Sequence, residues 1–170
     1  MASPELLIDA FDRIQKIVRS VLRNASADTL AYQPDARANT IGWLVWHLTR
    51  VQDDHLAAAF DRPQTWIEDG WADRFKLPFD DSATGYGHTH DEVAAVKVDA
   101  SLLGSYHDAV HDRSVELIRG LSDAELERIV DTSWDPPVTL AVRLISVIAD
   151  DLQHAGQASY VRGLATRAGL

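Results

Sequence analysis

Two pairs of residues stand at a spacing that can hold a metal ion. His107 and His111 are four apart, and so are Asp150 and His154. Residues i and i+4 share one face of a helix, so both side chains of such a pair can reach one ion. The chain has seven histidines, at 47, 55, 88, 90, 107, 111 and 154, and no cysteine. Thiolate zinc sites, iron–sulfur clusters, disulfides and a cysteine nucleophile are excluded, so any transition metal must be held by His, Asp or Glu.

Their neighbours separate the two pairs. Asp150 and His154 share a row with Val147 and Val161 on a strongly apolar segment, where an unpaired carboxylate is too costly. His111 sits among Asp108, Asp112 and Val115, so the pair His107/His111 reads as a solvated face. His47 lies between Leu44 and Val51, beside Trp43 and Trp46. Alone it reads as a hydrogen-bonded core histidine, and it becomes a ligand only where packing brings it to Asp150 and His154. Gln157, three residues past His154, can orient a ligand or bound molecule, or form a plain polar pair; Arg162 follows on the same helix. Arg50, three after His47, can meet an anionic substrate or make a surface salt bridge with Asp53 or Asp54.

The elements that must position these residues are helical, and no segment reads as a strand. Leu7, Phe11, Ile14, Val18 and Val21 form a core-facing stripe, with Ser3 as N-cap and Pro4 in the first helical position. A second helix starts after Asn39-Thr40, carries Ile41, Leu44, Leu48 and Val51, and ends near Phe60. Residues 61–90 form a long irregular connection with a tight end at Thr84-Gly85-Tyr86-Gly87, followed by a short turn at Asp91–Ala95 capped by Thr89. The third helix runs from about Asp99 to Arg119, with Leu102, Tyr106, Val110 and Leu117 inward and Gly120 closing it. Ser122 to Glu125 is a capping box that opens a short helix, and 130–137 form a loop. The fourth spans about Val138–Leu164 with Leu140, Leu144, Val147 and Ile148. The expected fold is all-α: one domain over 1–170, a four-helix bundle with a long crossover between the second and third helices. Of the five tryptophans, Trp66, Trp71 and Trp134 fall in loops, where they either wall a pocket or cap the core.

Composition bounds the partners. Sixteen Lys+Arg against 26 Asp+Glu give a net charge of −10, which disfavours nucleic acid. The N-terminus mixes acids with apolar residues, so it does not read as a signal peptide. No apolar run is long enough for a membrane span, and the cytoplasm is the expected location.

The run Asp150-Asp151-Leu152-Gln153-His154-Ala155-Gly156-Gln157 resembles the last-helix signature of the DinB-like superfamily: a ligand, three residues, a His, a small residue, Gly and Gln. Trp43-Leu44-Val45-Trp46-His47-Leu48 resembles the family's other block, and the resemblance covers nearly the whole chain. It implies a divalent metal (Zn, Ni, Fe or Mn) near one end of the bundle, held by His47 and His154. The family's third ligand, most commonly His, falls on Asp150. A carboxylate can take that place and gives the site harder character; Asp151 is a substitute on a slightly rotated face.

Characterised members resemble thiol S-transferases and a maleylpyruvate isomerase that use mycothiol, bacillithiol or glutathione. The resemblance therefore implies a low-molecular-weight thiol as co-substrate and a small-molecule substrate. By their positions relative to His47 and His154, Gln157, Arg50 and Arg162 are candidates for cofactor contacts, and a homodimer is the expected assembly. A non-catalytic metal- or ligand-binding bundle and a structural dimer with a vestigial site remain the alternatives.

Overall fold

The structure of the protein is a computed structural model that describes residues 2–170. Four long helices make its frame: α1 (Ser3–Leu22), α3 (Ile41–Phe60), α7 (Ala100–Arg119) and α9 (Leu140–Arg167). α1 and α3 each pack against both α7 and α9, so the four close a ring around a core that includes Phe11, Ile14, Leu44, Leu48, Leu103, Tyr106 and Leu144. Each such aliphatic or phenyl side chain contributes about 1.5–3 kcal/mol by leaving water. Between the long helices lie α2 (Ala27–Ala31), α4 (Thr65–Glu68), α5 (Trp71–Phe75), α6 (His90–Ala95) and α8 (Asp123–Leu126).

The helix ends follow side-chain chemistry. Thr40, Asp99 and Thr139 each accept a hydrogen bond from a backbone N–H of the first turn that follows. Thr89 with Glu92 and Ser122 with Glu125 close reciprocal capping boxes. α1 starts one residue earlier than Ser3-Pro4 implies: Ala2 holds the cap position, and its N–H donates to Glu5.

Two features depart from the sequence reading. A short antiparallel pair, β1 (Ile129–Asp131) and β2 (Val138–Thr139), occupies part of the expected loop and delays the start of α9 to Leu140. These strands are too short to show an alternating pattern. The crossover is also more regular than its Pro and Gly content suggests, because Asp53 organises it. Its carboxylate accepts from the backbone N–H groups of Thr65 and Trp66 at 2.8 and 2.7 Å, and from the Tyr106 hydroxyl at 2.9 Å. Arg50 lies 3.6 Å from the same carboxylate, over the ring of Trp66, and donates to the Ala83 carbonyl. Trp66, Trp71 and Phe75 pack on Tyr106 and cap the core.

Candidate metal centre

α3 and α9 bring His47, Asp150 and His154 together. One ligand atom from each lies within 4.8 Å of the others, and this is the one such group of three or more among the described residues. His154 Nε2 stands 3.5 Å from Asp150 Oδ1. Ligands at roughly 2.0–2.2 Å around a tetrahedral ion are about 3.4 Å apart, so this pair already has the required spacing.

The imidazoles are held in the tautomer that ligation needs. His47 Nδ1–H donates to the Thr84 carbonyl at 2.5 Å, and His154 Nδ1–H donates to Gln157 Oε1 at 3.0 Å. Each ring therefore turns an Nε2 lone pair to the centre, and the oxygen behind it fixes the orientation. Asp150 Oδ2 is buried without a hydrogen-bond partner, a costly state for a carboxylate oxygen and one that a cation relieves. Two nitrogens and a carboxylate oxygen suit zinc, nickel, iron or manganese, so the residues present fit a divalent metal.

Electrostatics within the group are mutual. The contact with Asp150 raises His154 above the usual imidazole range, while His154 lowers Asp150 below the carboxylate range. Burial pushes His47 down, opposed by its bond to Thr84.

A wall of aromatics backs His47. Trp43 stacks on it with centroids 4.5 Å apart and donates its indole N–H to His88 Nδ1 at 3.2 Å. His88 in turn packs against both Trp46 and Phe79, which also touch each other. Gly85 passes directly over this stack. At φ +96°, a Cβ there would stand 2.7 Å from His47 Nδ1, so only glycine lets the Thr84 carbonyl reach the ring. The tight Thr84–Gly87 turn was visible in the sequence; its role as the brace of His47 was not. On the other side a cleft of about 570 Å³ opens between the helices, lined by His47 and Asp150 with His55, Arg143, Tyr86 and Trp134.

The remaining sequence candidates fall elsewhere. Asp151 is fully buried with both oxygens unpartnered, and burial raises it well above the carboxylate range. It does not join the group, and the more buried of the two acids is Asp151, not Asp150. Arg50 makes neither a surface salt bridge nor a cleft contact: it is 0% exposed, and its donors are taken by Ala83, Gln64 and Tyr106. Arg162 donates to the Arg23 carbonyl at 3.4 Å, two turns beyond His154. His107 and His111 are not a solvated face either, being only 1% and 7% exposed. His107 Nδ1–H donates to Thr49 Oγ1 on α3, whereas His111 Nε2 meets Asp12 on α1 at 2.9 Å.

The model of the DinB superfamily matches residues 10–158. The crystal structure of a conserved protein from Enterococcus faecalis superposes with a TM-score of 0.88 at 29% sequence identity, covering 95% of this chain and 96% of that one. No protein of curated function matches the chain. No helix among the described residues is long and apolar enough to cross a membrane.

Proposed function

The chain belongs to the DinB superfamily, and from that premise we propose that it is a divalent-metal-dependent enzyme acting on a low-molecular-weight thiol, by S-transfer or isomerisation. The observation that carries this reading is the convergence of two Nε2 lone pairs and an unpartnered carboxylate oxygen beside an open cleft. A dication held there lowers the pKa of a thiol that reaches it and so supplies a nucleophile near neutral pH.

The chain's own residues do the rest. His47 and His154 bind through Nε2, and Asp150 supplies charge that offsets part of the dication. Gln157 and the Thr84 carbonyl hold the two rings in register. Trp43 and its aromatic neighbours keep water from the back of His47. The thiol must come from outside, since the chain has no cysteine. Of the three residues whose positions make them candidates for cofactor contacts, Gln157 acts through His154. Arg50 and Arg162 act through the fold, one by anchoring the crossover and the other by tying α9 to the end of α1.

The test is the metal content of the purified protein, followed by conjugation of mycothiol, bacillithiol or glutathione to an electrophile. One divalent ion per chain and a conjugation rate abolished by His154→Ala are expected. Failure to retain any divalent ion after loading overturns the reading. Retained metal without conjugation moves the protein to the non-catalytic binding class.

The proposed assembly is a homodimer through the outer face of α9. Val142, Ile145, Leu152 and Tyr160 are exposed there, and every exposed residue from 142 to 160 is uncharged. On a chain of net charge −10, that face brings a second copy close without desolvating a carboxylate. Ile145→Asp is expected to give a monomer by light scattering.

A further inference from the structure

The cleft holds a third histidine whose hydrogen bonding is the reverse of the other two. The Arg143 guanidinium lies 3.0 Å from His55 Nδ1 through one nitrogen and donates to Asp131 Oδ2 at 2.7 Å through the other. Arginine keeps its protons and can only donate, so His55 Nδ1 accepts and its proton sits on Nε2. His55 Nε2–H has no protein acceptor among the hydrogen bonds of the described residues, and the ring is part-exposed on the cleft wall. Burial holds His55 below the usual imidazole range, and the Arg143 guanidinium beside it acts in the same direction.

We propose that His55 is a substrate-binding residue, a neutral imidazole that donates its Nε2–H to an uncharged carbonyl-type oxygen of the molecule in the cleft. Charge decides between a carbonyl and a carboxylate. Asp54 and Asp150 line the cleft, and Asp131 already matches Arg143. Three acids against one base leave two negative charges, which a bound dication only cancels, so a carboxylate placed at His55, away from the metal, finds no net counter-charge. Tyr86 and Trp134, 93% and 67% exposed at the same cleft, add flat apolar surface suited to a planar amide, imide or ketone. The inference rests on the cleft being the substrate side of the metal centre.

Two measurements test it, each on the whole protein, metal-free and zinc-loaded. Imidazole ¹⁵N–¹H correlation spectra should show His55 as the Nε2–H tautomer, opposite to metal-free His47. Binding of N-ethylsuccinimide and of succinate, which share a skeleton and differ in charge, should favour the neutral imide. His55→Leu should weaken imide binding about tenfold, the value of one hydrogen bond, while His55→Gln, which keeps a donor, stays within about threefold. Zinc content should be the same in wild type, His55→Leu and His55→Gln, which separates this inference from the metal reading. An Nδ1–H tautomer, preference for succinate, no imide binding by the wild type, unchanged affinity in His55→Leu, or zinc lost with His55 would each overturn it.

Discussion

The α3–α9 cleft and the α3–α7 interior each contain a pair of metal-binding side chains at i and i+4, yet only one pair converges. Asp150 and His154 point to the same place and meet His47 there. His107 and His111 diverge, one toward Thr49 on α3 and the other toward Asp12 on α1. Spacing makes two residues neighbours on a helix. What turns neighbours into a site is the partner on the far side of each ring, which selects the free nitrogen and aims it. In the cleft, Thr84 and Gln157 occupy Nδ1 and release Nε2. In the interior the same logic spends the histidines on holding helices together.

Removing the proposed ligands gives the largest effect on this contrast. His47→Ala or His154→Ala should abolish stoichiometric metal binding, a greater loss than the about ten- to hundredfold that follows from disturbing an outer partner. The double variant His107→Gln, His111→Gln should retain full metal content by elemental analysis while melting at a lower temperature. Metal lost from the double variant and kept by His47→Ala would reverse the assignment of the two regions.

The next effect belongs to the interior. Burial pushes His107 down to about 4 from 6.5. The unfolded chain therefore binds this proton first as the pH falls, and stability contributed by the neutral ring is lost between pH 6.5 and about 4. At roughly 1.4 kcal/mol per pH unit the loss is of the order of 3 kcal/mol. Urea denaturation across this window should show a shallower acid decline in His107→Gln than in wild type. An identical decline would mean that His107 is hydrated and titrates normally.

Much of this contrast was hidden in the sequence, for a definable reason. The stripes of α1 and α9 consist of apolar residues and were legible from their spacing: Leu7, Phe11, Ile14, Val18 and Val21 are all buried, as are Leu140, Leu144, Val147 and Ile148. The buried face of α7 includes His107, His111 and Ser114 beside Leu103, Tyr106, Val110 and Ile118. Read by polarity, that face rotates by one residue, so that Leu102 and Leu117 look inward and the histidines outward. Arg50 and Asp53 misled in the same way. A buried ion pair is recognisable only from what surrounds it, here Tyr106 and two backbone N–H groups contributed by the crossover. The convergence of His47, Asp150 and His154 was foreshadowed by the i,i+4 spacing of the last two on an apolar row and by the family pattern, from which Asp150 departs. Gly85, Thr84 and His55 carry no such mark, since their roles depend on a loop and on a hairpin-anchored arginine that meet the helices only after folding.

Gln157→Leu probes the aiming alone. It leaves all three proposed ligands in place and removes the acceptor behind His154, so metal affinity should fall about ten- to hundredfold with the helical circular dichroism unchanged. Affinity should also fall on acidification in the wild type, because a proton competes for His154 Nε2. That competition begins above the usual imidazole range, since Asp150 raises His154. Metal affinity unaffected by Gln157→Leu would mean that the ion itself, and not the protein, orients the ring.

The smallest expected change is in the metal-free protein on Asp150→Asn, and it decides what the charge at this position is for. Without metal, Asp150 faces His154 at 3.5 Å with its side chain 37% exposed. A pair so open to solvent contributes about 0–1 kcal/mol, and the amide keeps the volume of the acid. In chelator, therefore, the melting temperatures of wild type and variant should differ by no more than about 2–4 °C. With zinc present they should separate. Binding to the native state adds about 2.7 kcal/mol at a hundredfold excess of metal over Kd, and the wild type gains this increment while the variant, lacking the carboxylate, gains much less. The difference between the two chelator-induced shifts isolates the charge from the shape of residue 150. Equal shifts in both proteins would assign metal binding to the two histidines alone. Asp150 would then be a carboxylate that tunes His154 without touching the ion, and the contrast with the α7 pair would rest entirely on where His47 and His154 point.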